Sequence, residues 1–162
     1  MRKIKNKKKK KYFKDYKFKS KLVTYFINIL MKNGKKNLSL RIFYNSLKIV
    51  KKKITEQNKK KISTIKILKK SLKNISPQVI IKNKKIGGSN YNIPIQISKK
   101  KKIYLAIKWL IFYSKKRKEK TMSKKLAYEI IASFNGLGES IKKKNDIHKI
   151  AESNKAFSYF KF

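Results

Sequence analysis

The chain has 162 residues, of which 48 are Lys or Arg and 7 are Asp or Glu, so its formal charge at pH 7 is +41. This length suits one domain of ordinary size, or one domain with an extended arm, and argues against two independent domains. The charge balance excludes an ordinary cytosolic enzyme. The 40% of hydrophobic residues is enough for a core, which excludes a wholly disordered polycation.

The first 17 residues are rich in Lys and contain aromatic residues but no sustained apolar period. This pattern predicts a basic N-terminal arm that is disordered until it binds a partner. The arm has no apolar core typical of a secretion signal and no Arg/Ser pattern typical of a transit peptide, so we expect no cleaved targeting segment.

Three helices are predicted before Pro77, because apolar residues recur there at intervals of three and four. The first spans about 18–31, and Asn33-Gly34 is predicted to end it, with Gly at the helix C-terminus. The third is predicted to stop before Pro77, since the residue preceding Pro avoids the helical conformation. The apolar stripes are Leu22, Val23, Phe26, Ile27 and Leu30, then Leu40, Phe43, Leu47, Val50 and Ile54, then Ile62, Ile65, Leu68, Leu72 and Ile75.

A β-hairpin is predicted at about 79–97, where the apolar period changes from near 3.6 to 2. Residues 87–90, with the sequence Gly-Gly-Ser-Asn, are predicted to form its tip. Pro94 predicts that the second strand is an edge strand, because Pro cannot donate a ladder hydrogen bond. The hairpin carries Lys82, Lys84 and Lys85.

Three further helices follow the hairpin, the fifth ended by Gly136 and Gly138 and the last running from about 139 towards 157. Their apolar positions are Ile103, Ala106, Ile107, Trp109, Leu110 and Ile111, then Leu126, Ala127, Ile130, Ile131 and Phe134, then Ile141, Ile147, Ile150 and Ala151. The predicted fold is all-α: a six-helix bundle with one β-hairpin inserted between helices 3 and 4, plus the disordered basic arm. We therefore predict an arm at 1–17 and a single domain at 18–162.

Few residues in the sequence could perform chemistry. The chain has no Cys, and its single His, His148, stands four residues before Glu152. A zinc site needs three or four protein ligands, and no third ligand is suggested by the spacing. This favours a surface His paired with a carboxylate. The Gly-containing segments at 33–36, 87–88 and 136–138 lack the context of a phosphate or dinucleotide loop and are predicted to be turns or caps. We expect no catalytic residue, metal or cofactor.

The positive charge requires a polyanion where the protein works, with nucleic acid the first candidate and an anionic membrane surface the second. No apolar stretch is longer than the one at 109–113, which is far shorter than the roughly 20 residues of a membrane span. Lys, Ile, Asn, Phe and Tyr make up 100 residues, a bias typical of an A+T-rich genome, so part of the Lys excess reflects composition. Charge alone is also compatible with a DNA-compacting architectural protein. A nuclease is a weaker alternative, because the chain has a single His.

Basic clusters are predicted to lie in loops and ends, where a fold presents them to a partner. Nearby aromatic residues could stack on unpaired bases, although Tyr91 is equally well explained by packing within the hairpin. The clusters are the arm, Lys35-Lys36, the hairpin, Lys99–Lys102, the loop at 115–120 and a turn at Lys142–Lys144, and the aromatic residues are Tyr12, Phe13, Tyr91 and Tyr113.

Four blocks in order resemble the bacterial-type family of the seventh small-subunit ribosomal protein. They lie at 20–36, 85–95, 106–110 and 141–157, and the resemblance covers about 20–160. The resemblance implies the same six-helix fold with a hairpin between helices 3 and 4. It also implies a primary binder of the 3′ major domain of small-subunit rRNA, which nucleates assembly of the subunit head.

The resemblance further implies a position near the exit site, where the hairpin and last helix approach tRNA and mRNA beside neighbouring ribosomal proteins, with no membrane partner. The composition and the bacterial-type pattern predict a plastid ribosome, with a mitochondrial ribosome or a bacterial cytoplasm as alternatives. By position, the family's RNA-facing cations correspond to Lys35, Lys36, Lys82, Lys84, Lys85, Lys108, Arg117, Lys118, Lys142, Lys143, Lys144, Lys149 and Lys155.

Overall fold

The computed structural model describes residues 15–58 and 63–159. Within these residues the chain forms six α-helices and one antiparallel hairpin between the third and fourth, which confirms the predicted fold class. Residues 1–14 of the predicted arm, with Tyr12 and Phe13, lie outside the described residues, as does Ile62. No described helix has the length and apolar character needed to cross a membrane. The elements are α1 (Lys21–Leu30), α2 (Lys36–Asn58), α3 (Thr64–Ile75), β1 (Val79–Ile86), β2 (Ser89–Gln96), α4 (Lys99–Lys116), α5 (Met122–Phe134), α6 (Glu139–Ser153) and a 3-10 helix (Lys155–Tyr159).

Helix α5 lies at the centre of the bundle, where it packs against α2, α3 and α4. Its sequence contains a four-residue apolar repeat, and Leu126 and Ile130 on that repeat are fully buried. The rings of Phe26 and Phe43 join α1 to α2 at a centroid distance of 4.9 Å. Each such side chain contributes about 1.5–3 kcal/mol on burial, so the predicted apolar stripes explain the helical core.

The hairpin loop is shorter than predicted. Gly87 and Gly88 alone connect the strands, with φ of 55° and 88°, while Ser89 and Asn90 pair within β2. Two successive positive φ values match the two-residue turn whose twist suits a hairpin, and glycine adopts them without strain. Pro94 lies opposite Ile81, and because the sheet has two strands, both are edge strands, as predicted for β2.

Two helix ends differ in how they form. Helix α1 ends at Leu30 with Met31 extended, so Asn33 and Gly34 form a separate turn before α2, contrary to the predicted cap. At the end of α5, Gly136 N–H donates to Ser133 O and Leu137 N–H to Ala132 O. This is the Schellman arrangement, in which a left-handed glycine lets the last carbonyls find partners.

Several basic clusters predicted to be loops are helical. Lys99–Lys102 form the first turn of α4, Lys115 and Lys116 belong to its last turn, and Lys142–Lys144 lie inside α6. The last helix also ends at Ser153, before the 3-10 helix. Lys is a good helix former whose long side chain stays solvated on a helix surface, so a run of Lys does not break a helix.

Asp15, near the end of the predicted arm, contacts the helical bundle. Asp15 is buried, and its carboxylate accepts hydrogen bonds from the Phe18 N–H at 2.9 Å and the Tyr44 hydroxyl at 2.6 Å. Tyr44 lies on α2, so this contact attaches the start of the described chain to the bundle. Burial, followed by the hydrogen bond and charge of Asp15, raises the pKa of Tyr44 to about 12.

We expect Tyr44→Phe to lower the free energy of unfolding by about 1–2 kcal/mol near neutral pH, because Asp15 stays buried with one fewer donor. The raised pKa means that the neutral phenol stabilises the fold below its ordinary pKa of about 10, and that this contribution is lost as the pH rises through about 12. Chemical denaturation should therefore show a smaller difference in the free energy of unfolding between wild type and variant at about pH 12 than at about pH 7.

Tyr16→Phe is the matched control for Tyr44→Phe, because the Tyr16 side chain is almost fully exposed. We expect it to change stability by less than about 0.5 kcal/mol at either pH. Equal effects of the two substitutions would show that the Asp15–Tyr44 hydrogen bond does not stabilise the fold.

Candidate nucleic-acid interface

One face of the hairpin is polar and exposed along its outer half. Alternation along the strands places Asn83 and Lys85 of β1 on the same face as Asn90 and Asn92 of β2, and all four are exposed. The cation can meet a phosphate, and the amides can donate to or accept from nucleotides. This face can therefore contact both the backbone and the bases of a nucleic acid.

The opposite face of the hairpin packs on the body of the protein. Ile93 is fully buried there, and the Tyr91 ring lies 4.8 Å from the ring of Phe157 in the 3-10 helix. Tyr91 therefore packs against the C-terminal segment, whereas the sequence left open packing within the hairpin or stacking on a base. On this face Lys82 is exposed at the edge and Lys84 is half-buried.

The three consecutive lysines of α6 point to three different surroundings, because neighbouring residues on a helix are about 100° apart. Lys142 is exposed, on the same helix face as Lys149 seven residues later. Lys143 lines a groove beside α4. Lys144 donates from Nζ to the Asn74 carbonyl oxygen at 2.8 Å and so closes the C-terminal end of α3.

Arg117 is held by two carboxylates. Its Nη1 donates to Glu129 Oε2 at 2.9 Å and its Nε donates to Glu119 Oε1 at 3.1 Å. Burial alone would lower the pKa of Arg117, but the hydrogen bonds that Arg117 donates to Glu129 and Glu119, and the charges of these carboxylates, raise it. The guanidinium thus joins the end of α4 to α5. It is also partly exposed, so it remains accessible to RNA. Lys118 beside it is exposed.

Positive charge also gathers at two helix N-termini. Lys35 and Lys36 stand at the start of α2, and Lys99–Lys102 form the first turn of α4, with no acidic residue in either first turn. Cations at this end oppose the helix dipole, at a cost of about 0.3–1 kcal/mol each at low ionic strength. A polyanion bound there would remove this cost and meet the N–H groups that helices leave unpaired at their N-termini.

His148 stabilises the join between α6 and the hairpin. Its Nε2 accepts a hydrogen bond from the Gln78 N–H at 3.1 Å, and burial, followed by the charge of Lys144, lowers its pKa. The partner predicted for it was a carboxylate, whereas the partner observed is a backbone amide. Beside it, a cavity of about 390 Å³ is also lined by Glu152 and Lys155. Among the described residues, no three His, Asp or Glu side chains gather as metal ligands.

The packing links most of the candidate cations. Helix α6 packs on β1 and on α4, so the helix that carries Lys142, Lys143 and Lys149 connects the hairpin to α4, and Lys143 shares a groove with Lys108 of α4. Lys115 lines this groove and a second one that contains Lys32 and Lys35. The family-based contact set does not include Lys32, Lys115 or Lys116, although Lys115 and Lys116 belong to the basic cluster predicted at 115–120. Lys115 could have been found, because it follows Lys108 by seven residues on the same helix face.

Comparison with known proteins gives consistent similarities over almost the whole chain. A family model described as "Ribosomal protein S7p/S5e" matches residues 1–155. Three bacterial proteins named "Small ribosomal subunit protein uS7" are similar. The one from Amoebophilus asiaticus is 47% identical over 95% of this chain and 96% of its own, and that from Flavobacterium psychrophilum is 43% identical over 96% of each. The relative from Mycoplasma genitalium is 39% identical over 90% of each chain.

Proposed function

The chain belongs to the ribosomal protein S7p/S5e family, and on this premise we propose which part of the ribosome the protein binds and which of its residues make the contacts. The protein is a structural component of the small ribosomal subunit, in a family that is not a class of enzymes. The DNA-compacting alternative, which rested on charge alone, is not supported by these relatives.

We propose that the protein is a primary binder of the 3′ major domain of small-subunit rRNA and nucleates assembly of the subunit head. The observation that supports this best is the exposed hairpin face with Lys85, connected through α6 to Lys142 and Lys149. A primary binder must recognise RNA without help from other proteins. Purified protein should therefore bind a transcript of the 3′ major domain more tightly than a 5′ domain transcript of the same length. Equal affinities would contradict the proposal.

The candidate contact set stays as predicted from the family, with two different kinds of member. Arg117 and Lys144 also hold elements of the fold together, so their replacement would disturb structure as well as RNA contacts. The exposed members act on RNA through charge. They are Lys35, Lys36, Lys82, Lys85, Lys108, Lys118, Lys142, Lys149 and Lys155, while Lys84 and Lys143 are half-buried.

We expect Lys82→Glu combined with Lys85→Glu to weaken binding to the 3′ major domain at least tenfold near 0.1 M salt, because both cations are exposed and each can replace a counterion on RNA. The slope of log affinity against log salt should become shallower by about 1 for each phosphate contact removed. Titration by filter binding at several salt concentrations gives both quantities.

The matched control is Lys66→Glu with Lys69→Glu, which makes the same charge change at exposed positions of α3 that are not among the candidate contacts. We expect it to change the salt slope by less than the hairpin variant does. Circular dichroism would establish that both variants are folded. An identical slope change in both variants would mean that net charge, and not the hairpin, determines binding.

We propose that the hairpin and α6 also approach tRNA and mRNA at the exit site, as the family resemblance implies. The chain has no Cys, so a single Cys introduced at Asn90 on the exposed hairpin face gives one attachment point for a photo-crosslinker. In translating ribosomes we expect crosslinks to exit-site tRNA or to mRNA. Crosslinks to rRNA alone would contradict this part of the proposal.

We infer that the protein works in a ribosome of bacterial type. The relatives described above are from bacteria, which agrees with the bacterial alternative. The plastid and mitochondrial assignments rest on the A+T-type composition and remain predictions. Mapping the gene to an organelle genome or to a bacterial chromosome would decide between them.

A further inference from the structure

A groove between α1, α4 and α6 combines aromatic rings with cations. Its volume is about 570 Å³, within the range of about 300–1,000 Å³ that is common for ligand pockets. Among the described residues, no carboxylate lines it. The lining residues are Ile29, Tyr104, Lys108, Trp109, Ile111, Phe112, Tyr113, Lys115 and Lys143.

Two rings of this aromatic groove are exposed. Phe112 is 51% exposed and Tyr104 is 39% exposed, while the rings of Phe112 and Tyr113 meet edge to face at 5.2 Å. Burial, followed by the charges of Glu139 and Asp146, raises the pKa of Tyr113, so its phenol stays neutral and can donate a hydrogen bond. An apolar ring surface is therefore available beside a polar hydroxyl group.

Lysine ammonium groups lie close to the same rings. The Lys116 Nζ lies 4.8 Å from the Phe112 ring centroid, and the Lys108 Nζ lies 6.0 Å from that of Tyr104. Lys115 joins the aromatic groove to the neighbouring groove that contains Lys32. Burial and the nearby ammonium of Lys32 lower the pKa of Lys115. Two ammonium groups brought together in this way form a position suited to an anion.

We propose that the aromatic groove binds one unpaired nucleobase of small-subunit rRNA, which stacks on Phe112 while its backbone phosphate meets Lys115 and Lys32. This rests on the proposed rRNA-binding function and specifies the chemistry of one contact. Single-stranded RNA suits the groove because its bases can leave the stack and lie on aromatic rings. A protein partner suits it less, because Lys is depleted from the cores of protein interfaces.

The single Trp of the chain reports on the groove directly, because Trp109 lines it. We expect a short oligoadenylate to quench the fluorescence of the full-length protein more strongly than an RNA duplex of the same length. Phe112→Leu keeps an apolar side chain but removes the ring, and should weaken oligoadenylate binding by about fivefold or more. Its salt slope should be unchanged, since stacking releases no counterions.

Two matched variants separate stacking from charge. Tyr159→Leu removes a 91% exposed ring that does not line the groove, and should leave oligoadenylate affinity unchanged. Lys115→Gln should make the salt slope shallower by about 1, as expected for a lost phosphate contact. Equal losses in Phe112→Leu and Tyr159→Leu, or a duplex that quenches Trp109 as strongly as the oligoadenylate, would overturn the proposal.

The natural occupant can be identified in assembled subunits. With p-benzoylphenylalanine in place of Phe112, we expect irradiation to crosslink the protein to an unpaired rRNA nucleotide. A crosslink to a neighbouring protein, or to a paired nucleotide, would overturn the proposed occupant. The proposed function is tested separately: if wild-type protein binds the 3′ major domain and Phe112→Leu binds it equally well, the groove proposal alone fails. Wild-type protein that fails to bind that domain would refute the proposed function itself.

Discussion

Replacing Arg117 with Met should lower the free energy of unfolding by about 3–5 kcal/mol, because it leaves the carboxylate of Glu129 buried without its cation. Glu129 is 1% exposed, and its Oε2 accepts the Arg117 Nη1 hydrogen bond at 2.9 Å. Its other oxygen, Oε1, accepts from the backbone N–H and the hydroxyl of Ser140, at 3.2 and 2.6 Å. One carboxylate thus joins α4, α5 and α6, and equilibrium denaturation would measure its contribution.

The control for Arg117→Met is Glu119→Gln, which alters the other carboxylate bound to the same guanidinium. The Glu119 side chain is 23% exposed, and its Oε2 is buried with no hydrogen-bond partner among the described residues. Because this carboxylate is only partly satisfied, we expect its replacement to cost less than about 1 kcal/mol. Burial would raise the pKa of Glu119, but its backbone hydrogen bond and the Arg117 guanidinium lower it. The contribution of Glu119 is therefore lost as the pH falls through this lowered pKa. Similar losses of unfolding free energy in the two variants would show that the buried Glu129 contact stabilises the fold no more than the Glu119 contact does.

The Arg117 result also affects how RNA binding by this variant is interpreted. Arg117 is among the cations that the family resemblance assigns to RNA, and its side chain is 31% exposed. A destabilised variant binds RNA more weakly if part of it is unfolded, even without loss of a direct contact. Binding should therefore be measured where denaturation shows the variant to be folded. A remaining change in salt slope then reports the RNA contact alone.

The helices and the hairpin could be predicted because their signals are local. Apolar residues three or four apart identify a buried helix face, and the change to a period of two identifies the hairpin. Runs of Lys contain no such period, which is why Lys142–Lys144 were predicted to be a turn although they lie inside α6. Which of these lysines meets a neighbouring carbonyl, as Lys144 does, depends on the packing of α3 against α6.

Contacts between distant residues could not be predicted from periodicity. Asp15 and Tyr44 are 29 residues apart, and no spacing rule joins them. The aromatic groove is likewise formed by three helices whose relative positions depend on the whole core. Glu129 did give a signal, because it stands in the apolar segment 126–131, where a carboxylate is expected to be buried and to need partners. The identity of those partners required the fold.

Gly138→Ala should lower the free energy of unfolding by about 3 kcal/mol, because the added Cβ would strain the backbone and would also crowd neighbouring atoms. Gly138 precedes α6 with φ of 111°, in a region that residues with a side chain rarely adopt. A Cβ there would lie 3.0 Å from Glu129 Oε1 and 3.3 Å from the Ala132 Cβ. The Glu129 side chain cannot move away without losing its hydrogen bonds to Arg117 and Ser140.

Gly136→Ala, two residues earlier, separates the backbone effect from the steric one. Gly136 also has a positive φ, 82°, but a Cβ at this position would meet no atom of the described residues within 4 Å. Alanine at this position should therefore lose only about 1–2 kcal/mol, the cost of a left-handed conformation. Denaturation of both variants under the same conditions gives the difference directly. If the two losses are equal, the close approach of Gly138 to Glu129 is not what constrains this turn, and backbone conformation alone explains both glycines.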